Sequence, residues 1–280
     1  MFLLAGQSNM AGRGRVAEED TVVHPRVFAL SKDNEWVPAK DPIHFDKRVA
    51  GVGLGRTFGI TLAEGDSSLA VGLIPCAVGG SPIASWEPGE YYPPTKSHPY
   101  DDAVKRTKIA MQRGTLKAIL WHQGESDSKP ELAGVYEKKL HALVARFRKE
   151  FGVPGLPFIA GQLGHFPDRP WDEARSLVNS VHESLPKKVK NTAFVASKGL
   201  THKGDKVHFD AKSIREFGKR YAEAYVCLLE KTGEKDEPAK KLVLFDGKTL
   251  DGWKKAKFGG EGDVKVENGS ITLSRGTSLT

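Results

Sequence analysis

The sequence is poor in several things, and each shortage removes a class of protein. Two cysteines in 280 residues cannot form a disulfide framework or a thiolate metal site. Cys76 ends an apolar run and Cys227 falls in an amphipathic stretch, so both are expected as buried free thiols. No apolar run approaches the roughly 20 residues that span a bilayer, so a membrane is not an expected partner. Among nine histidines there is no H-E-x-x-H or comparable ligand spacing, and neither a metal nor another cofactor is expected. A dense basic patch is also missing. The formal charge is +7, but it is dispersed, and its densest cluster, Lys187-Lys188-Val189-Lys190, reads as a solvated loop. Nucleic acid is therefore not an expected partner. Met1-Phe2-Leu3-Leu4-Ala5 is too short for the apolar region of a signal peptide and reads as a buried strand. A secreted or periplasmic location is expected if a signal peptide precedes this sequence.

What is present is an alternation of short apolar runs with longer helical patterns, the mark of a parallel sheet covered by helices. Strands are expected at Met1–Ala5, Leu69–Pro75, Leu116–Trp121, Pro157–Gly161 and Thr192–Ala196. Helices are expected at Gly53–Glu64, Asp101–Arg113, Glu131–Phe151, Trp171–Leu185 and Ala211–Glu230. The last carries Ile214, Phe217, Tyr221, Ala224, Tyr225 and Leu228 near the helical period. The fold class is α/β: a three-layer α/β/α sandwich around a five-stranded parallel sheet, with sites at the carboxyl ends of the strands. This domain covers residues 1–231. Residues 232–240 are polar, charged and broken by Pro238, and read as a linker. Residues 241–280 read as the start of a second, β-rich domain, with Asp246-Gly247 and Asn268-Gly269 at its turns.

Four loops could carry chemistry. The first strand runs into Gly6-Gln7-Ser8-Asn9-Met10, where a serine on a tight strand-to-helix turn exposes its hydroxyl beside N–H groups able to bind an oxyanion. The second glycine of G-x-S-x-G is missing, and on this segment alone a helix cap would explain Ser8. Before the last helix stands Gly204-Asp205-Lys206-Val207-His208-Phe209, in which Asp205 is three residues from His208 and could hold its ring in one tautomer. After the third strand comes Trp121-His122-Gln123-Gly124-Glu125-Ser126-Asp127. Gln123 could donate to an oxyanion and Glu125 could orient a histidine, although a polar helix cap would look the same. The paired glycines of Ala77-Val78-Gly79-Gly80-Ser81 allow close backbone approach to a ligand. In the loop beyond them Trp86, Tyr91 and Tyr92 could stack on a sugar ring or simply pack.

Together, Gly6-Gln7-Ser8-Asn9-Met10-Ala11-Gly12, Gly79-Gly80-Ser81, His122-Gln123-Gly124-Glu125-Ser126-Asp127 and Asp205-x-x-His208 resemble the carbohydrate acetylesterases of the SGNH-hydrolase superfamily. The group is the sialate O-acetylesterase-like family and carbohydrate esterase family six, and the resemblance covers roughly residues 1–230. It implies a flavodoxin-like fold and metal-free, two-step hydrolysis of O-acetyl groups on a carbohydrate of acetylxylan or sialic-acid type. Carried over, Ser8 matches the nucleophile and His208 the base, while the N–H groups of Ser8 and Gly80 and the Gln123 side chain match the oxyanion hole. The family's acid corresponds to Asp205 or to Glu125. The three-residue spacing favours Asp205. Trp86 and Asn9 are the expected substrate contacts. Leu244–Trp253 resembles the opening of a 3-keto-disaccharide hydrolase domain, a concanavalin-like β-sandwich. The competing readings are a sugar-binding module without activity and a glycosidase using Glu125 and Asp127 as its carboxylate pair.

Overall fold

The structure is a computed structural model that describes residues 1–232, 248–249, 264–267 and 270–273. Two compact units divide the chain, Met1–Gly233 and Glu234–Thr280. In the first, apolar runs become the strands β1 (Phe2–Gly6), β2 (Val27–Leu30), β3 (Trp36–Pro38), β4 (Val71–Pro75), β5 (Ala118–His122), β6 (Phe158–Gly161) and β7 (Thr192–Val195). They form one seven-stranded sheet in the order β3-β2-β4-β1-β5-β6-β7. All pairings are parallel except β2 with β3. The sheet thus has seven strands instead of the expected five. The additional pair is a short hairpin at one edge. β2 is four residues long, and β3 is three partly exposed residues ending at Pro38, whose missing N–H suits an edge. Runs this short carry too little alternation to announce a strand.

Side chains of successive residues in a strand point to opposite faces, and here both faces are covered. Phe2 and Leu4 of β1 join Phe58, Leu62, Phe217 and Tyr221 in one core, while Leu3 and Ala5 join Trp121, Leu140, Phe147 and Val178 in the other. The first core lies under α2 (Leu54–Gly65) and α6 (Ala211–Thr232), and the second under α3 (Pro99–Met111), α4 (Pro130–Glu150) and α5 (Glu173–Lys188). Each fully buried Leu or Phe adds about 1.5–3 kcal/mol of transfer free energy. α5 starts at Glu173 because Asp172 caps it, its side chain accepting the Arg175 N–H, two residues beyond the expected Trp171. Cys76 is buried as expected, but Cys227 is exposed. The core stripe of α6 runs through Ile214, Phe217, Tyr221 and Tyr225, and a residue two positions beyond Tyr225 faces the opposite side of the helix.

The chain leaves β1 to build β2, β3 and β4 on one side of it, then crosses to β5, β6 and β7 on the other. β1 is therefore the point where strand order reverses, and the crevice at its carboxyl end lies between the loops that follow β4 and β5. In the second unit, β8 (Val264–Glu267) and β9 (Ser270–Leu273) pair antiparallel. The expected linker beyond Thr232, most of the expected β-rich segment 241–280 and most of the stretch resembling a 3-keto-disaccharide hydrolase domain lie outside the described residues.

Candidate active site

β1 ends at Gly6, whose φ of 127° is open to glycine; a Cβ there would stand 2.1 Å from the carbonyl oxygen of His122 on the neighbouring strand. The chain turns at once into the single-turn helix α1 (Ser8–Ala11), so Ser8 stands at the crevice with the free N–H groups of a helix start around it. The loop after β4 is tied to the end of β1, the Val78 N–H donating to Gly6 O at 2.9 Å. Gly80 in that loop has a φ of 84°, and a Cβ on it would lie 3.0 Å from the Tyr92 hydroxyl. Among the described residues, neither the Ser8 nor the Gly80 N–H meets a protein acceptor. Next to Gly80, the Asp46 carboxylate accepts from the Gly79 N–H at 2.8 Å and from Arg13 at 2.7 Å, which ties this loop to the segment that follows α1.

From the opposite side comes the loop before α6. The Asp205 Oδ1 accepts the N–H groups of Val207 at 3.0 Å and His208 at 2.8 Å, closing a tight local turn. Its Oδ2 is 2.7 Å from His208 Nδ1, and His208 Nε2 is 3.0 Å from Ser8 Oγ. Two loops 200 residues apart thus place a carboxylate, an imidazole and a hydroxyl in one line of hydrogen bonds. Burial alone would raise the Asp205 carboxyl, but the His208 and Val207 N–H groups and the imidazole outweigh it and hold it down to about 2. The carboxylate is ionised at neutral pH and can accept a hydrogen bond from Nδ1–H, an arrangement in which Nε2 faces the Ser8 hydroxyl as an acceptor.

Glu125 does not reach His208. Its Oε1 accepts from Asn9 Nδ2 at 2.6 Å and stands 3.7 Å from His122 Nδ1, with its side chain almost enclosed. Asn9 is itself 1% exposed, and both protons of its amide are used between loops. Its Nδ2 also donates to Val207 O, and its Oδ1 accepts from the Phe209 N–H. The expected substrate contact is instead a clasp between α1, the Glu125 loop and the His208 loop. Trp86 is likewise corrected. It is fully buried against Trp121, its ring centroid 5.1 Å away, and its indole N–H donates to Ser81 Oγ. No face of it is available to a sugar. Tyr91 is about half exposed beside His98, and Tyr92 puts its hydroxyl next to Gly80.

Gln123 also departs from expectation. It is fully buried, and its Nε2 has Asp127, Ser81 O and Gln7 Oε1 as acceptors, so no N–H is left to point outward. Its Oε1 accepts from the Tyr136 hydroxyl at 2.8 Å, which in turn is 2.8 Å from His182 Nε2. Burial lowers His182 to about 3, so it remains neutral within this network. Asp127 is 2% exposed and is held by Gln123 and by the Ile83 N–H, so Glu125 and Asp127 do not flank a cleft as a glycosidase pair must. Beside the His208 loop, at the ends of β6 and β7, a cleft of about 530 Å³ is lined by Gln162, His165, Pro167, Lys198, Gly199, Leu200 and Thr201. Among the described residues no group of three or more His, Cys, Asp or Glu could hold a metal ion.

Comparison with known proteins agrees with this architecture. The chain is 33% identical over 249 residues to a probable carbohydrate esterase of Arabidopsis thaliana, covering 81% of this chain and 90% of that protein. An X-ray structure of an Arabidopsis thaliana protein superimposes with a TM-score of 0.71 at 31% identity, over 81% of this chain and 97% of that one. The crystal structure of NanS shares the fold, with a TM-score of 0.68 at 18% identity, over 82% and 97% of the two chains. So does a carbohydrate acetylesterase from Xanthomonas citri, with a TM-score of 0.64 at 18% identity, over 94% and 60%. Residues 1–227 match the family described as carbohydrate esterase, sialic acid-specific acetylesterase, and with its crevice at the end of β1 this chain belongs to that family and is a carboxylic ester hydrolase.

Proposed function

We infer that the protein removes O-acetyl groups from carbohydrates of acetylxylan or sialic-acid type, through an acetyl-enzyme on Ser8. The observation that carries this reading is the line from Asp205 Oδ2 through His208 to Ser8 Oγ, with bonds of 2.7 and 3.0 Å. His208 Nε2 takes the Ser8 proton as Oγ attacks the acetyl carbonyl, and the C=O electron pair moves onto oxygen. The unengaged N–H groups of Ser8 and Gly80 meet that charge. When the pair returns, the bond to the sugar oxygen breaks and His208 protonates the leaving hydroxyl. Water, activated by the same histidine, then releases acetate. The neighbouring cleft is of a size that takes small ligands and could hold the sugar.

The test is acetate release from a panel of acetylated xylan fragments and O-acetylated sialic acids by the wild type and by Ser8→Ala. The variant should lose several orders of magnitude in turnover and keep its melting temperature. Retention of most of the activity would refute Ser8 as nucleophile, and failure of the whole panel would refute the substrate class.

A further inference from the structure

His202 stands at the start of the loop that carries Asp205 and His208, and the reaction above does not use it. Its ring is partly buried and lies edge-on to Phe166, with the centroids 4.9 Å apart. Nδ1 accepts two backbone N–H groups, from Gly204 at 2.9 Å and from Lys206 at 3.2 Å. A nitrogen that accepts carries no proton, so the ring proton belongs on Nε2, which lies 3.1 Å from both Asp168 carboxylate oxygens. The hydrogen bonds on the two sides of the ring thus agree on one tautomer.

Gly204 and Lys206 flank Asp205. Gly204 has a φ of 109° and Lys206 a φ of 60°, the latter a left-handed conformation that a residue with a Cβ keeps only when its surroundings enforce it. The two bonds to His202 enforce it, together with Arg169 Nη1, which donates to Lys206 O at 2.9 Å. In such turns an Asn or Asp oxygen commonly receives the N–H two residues ahead. A histidine does this with one nitrogen and has a second to spare. That second nitrogen reaches Asp168, 34 residues away in the segment after β6, which also supplies His165 and Pro167 to the neighbouring cleft.

We propose that His202 is a positioning residue for the acid–base pair: its Nδ1 fixes the turn that aims Asp205 at His208, and Asp168 fixes its tautomer. His202 touches no reacting atom and exchanges no proton with the substrate. The proposal rests on Ser8, His208 and Asp205 acting as nucleophile, base and acid.

Three variants separate this role from a structural one, each read by acetate release, by the rate at which a fluorophosphonate labels Ser8, and by circular dichroism. Labelling needs the activated serine and not the sugar. His202→Leu removes the acceptor, and kcat and the labelling rate should fall together about 10–100-fold, with KM changed by less than about threefold. His202→Asn returns an oxygen for the Gly204 and Lys206 N–H groups without the tether to Asp168, and Asp168→Ala removes that tether alone. Both should lose only about 3–10-fold. A folded His202→Leu protein within about threefold of wild type overturns the proposal, as does a folded His202→Asn protein no better than His202→Leu. If His202→Leu does not fold, Asp168→Ala decides, because the Asp168 side chain is about half exposed and its loss leaves the core untouched. A kcat within about twofold of wild type there overturns the proposal. An active Ser8→Ala protein, or a wild type that the fluorophosphonate does not label, defeats the nucleophile and this proposal with it. A labelled wild type beside unimpaired His202→Leu and Asp168→Ala proteins defeats this proposal alone.

Discussion

Two aspartates of the first unit, Asp205 and Asp41, meet opposite fates. Asp205, in the loop before α6, is partly open to solvent and collects three donors, the N–H groups of Val207 and His208 and the His208 ring. It is held down to about 2. Asp41, on the segment leading to α2, is 4% exposed; among the described residues its Oδ1 has only the Gly53 N–H at 3.5 Å, and its Oδ2 has no hydrogen-bond partner. Burial, only partly offset by Arg56 and the Gly53 N–H, pushes it up to about 7. The difference teaches that enclosure and the supply of donors act together: Asp205 has little of the first and three of the second, and Asp41 the reverse. A loop that brings its own N–H groups can keep an ion at the surface of a crevice; a buried segment that brings one distant N–H cannot.

The comparison can be broken most severely at Asp205. Asp205→Asn leaves the loop an oxygen acceptor but no charge to hold the Nδ1 proton, and kcat should fall about 10²–10⁴-fold with the fold intact, as measured by acetate release and circular dichroism. A loss below about tenfold would remove Asp205 from its role. Asp41 offers the opposite test. Its carboxyl in the folded chain titrates near 7 against 3.8 unfolded, so between those values the folded state holds a proton that the unfolded state has lost. That stabilisation is complete below the unfolded value and disappears as pH rises through about 7. Relative to Asp41→Asn, the wild type should therefore lose up to about 4 kcal/mol between pH 4 and pH 8, read from urea denaturation at several pH values.

A smaller effect is expected within the enclosed network behind the crevice. Tyr136→Phe removes the hydroxyl that Gln123 and His182 share, leaving buried groups unpaired, and should cost about 1–3 kcal/mol in unfolding free energy. The smallest effect belongs to Glu125→Gln. Its amide oxygen can still accept from Asn9, and no bond joins Glu125 to His208, so kcat should change by less than about tenfold. A loss equal to that of Asp205→Asn would reverse the assignment of the two acids.

Much of the crevice was readable before the fold was known, because its parts are local. The i, i+3 spacing of Asp205 and His208 is a property of one turn, and the strand-loop-helix passage through Gly6 and Ser8 is written in seven consecutive residues. Helix boundaries followed from periodicity to within a few positions, α5 shifting to the capping Asp172. Other features were not readable. The hairpin of β2 and β3 adds strands of four and three residues, below the length at which alternation is distinct. Gln7 stood inside the first motif, but nothing in the order of residues showed that its oxygen would be clamped by a loop more than 115 residues away.

Sequence alone decided the parallel α/β architecture, the rim on which a site could form and the pairing of Asp205 with His208, since period, spacing and chain order are local quantities. Tertiary structure alone decided that Trp86 packs inside, that Asn9 is a clasp, that Glu125 faces Asn9 and that Gln123 turns inward to Tyr136 and Asp127. Those outcomes depend on which donors and acceptors distant strands bring within about 3 Å of one another, and a polar side chain takes its direction from the partners it finds there.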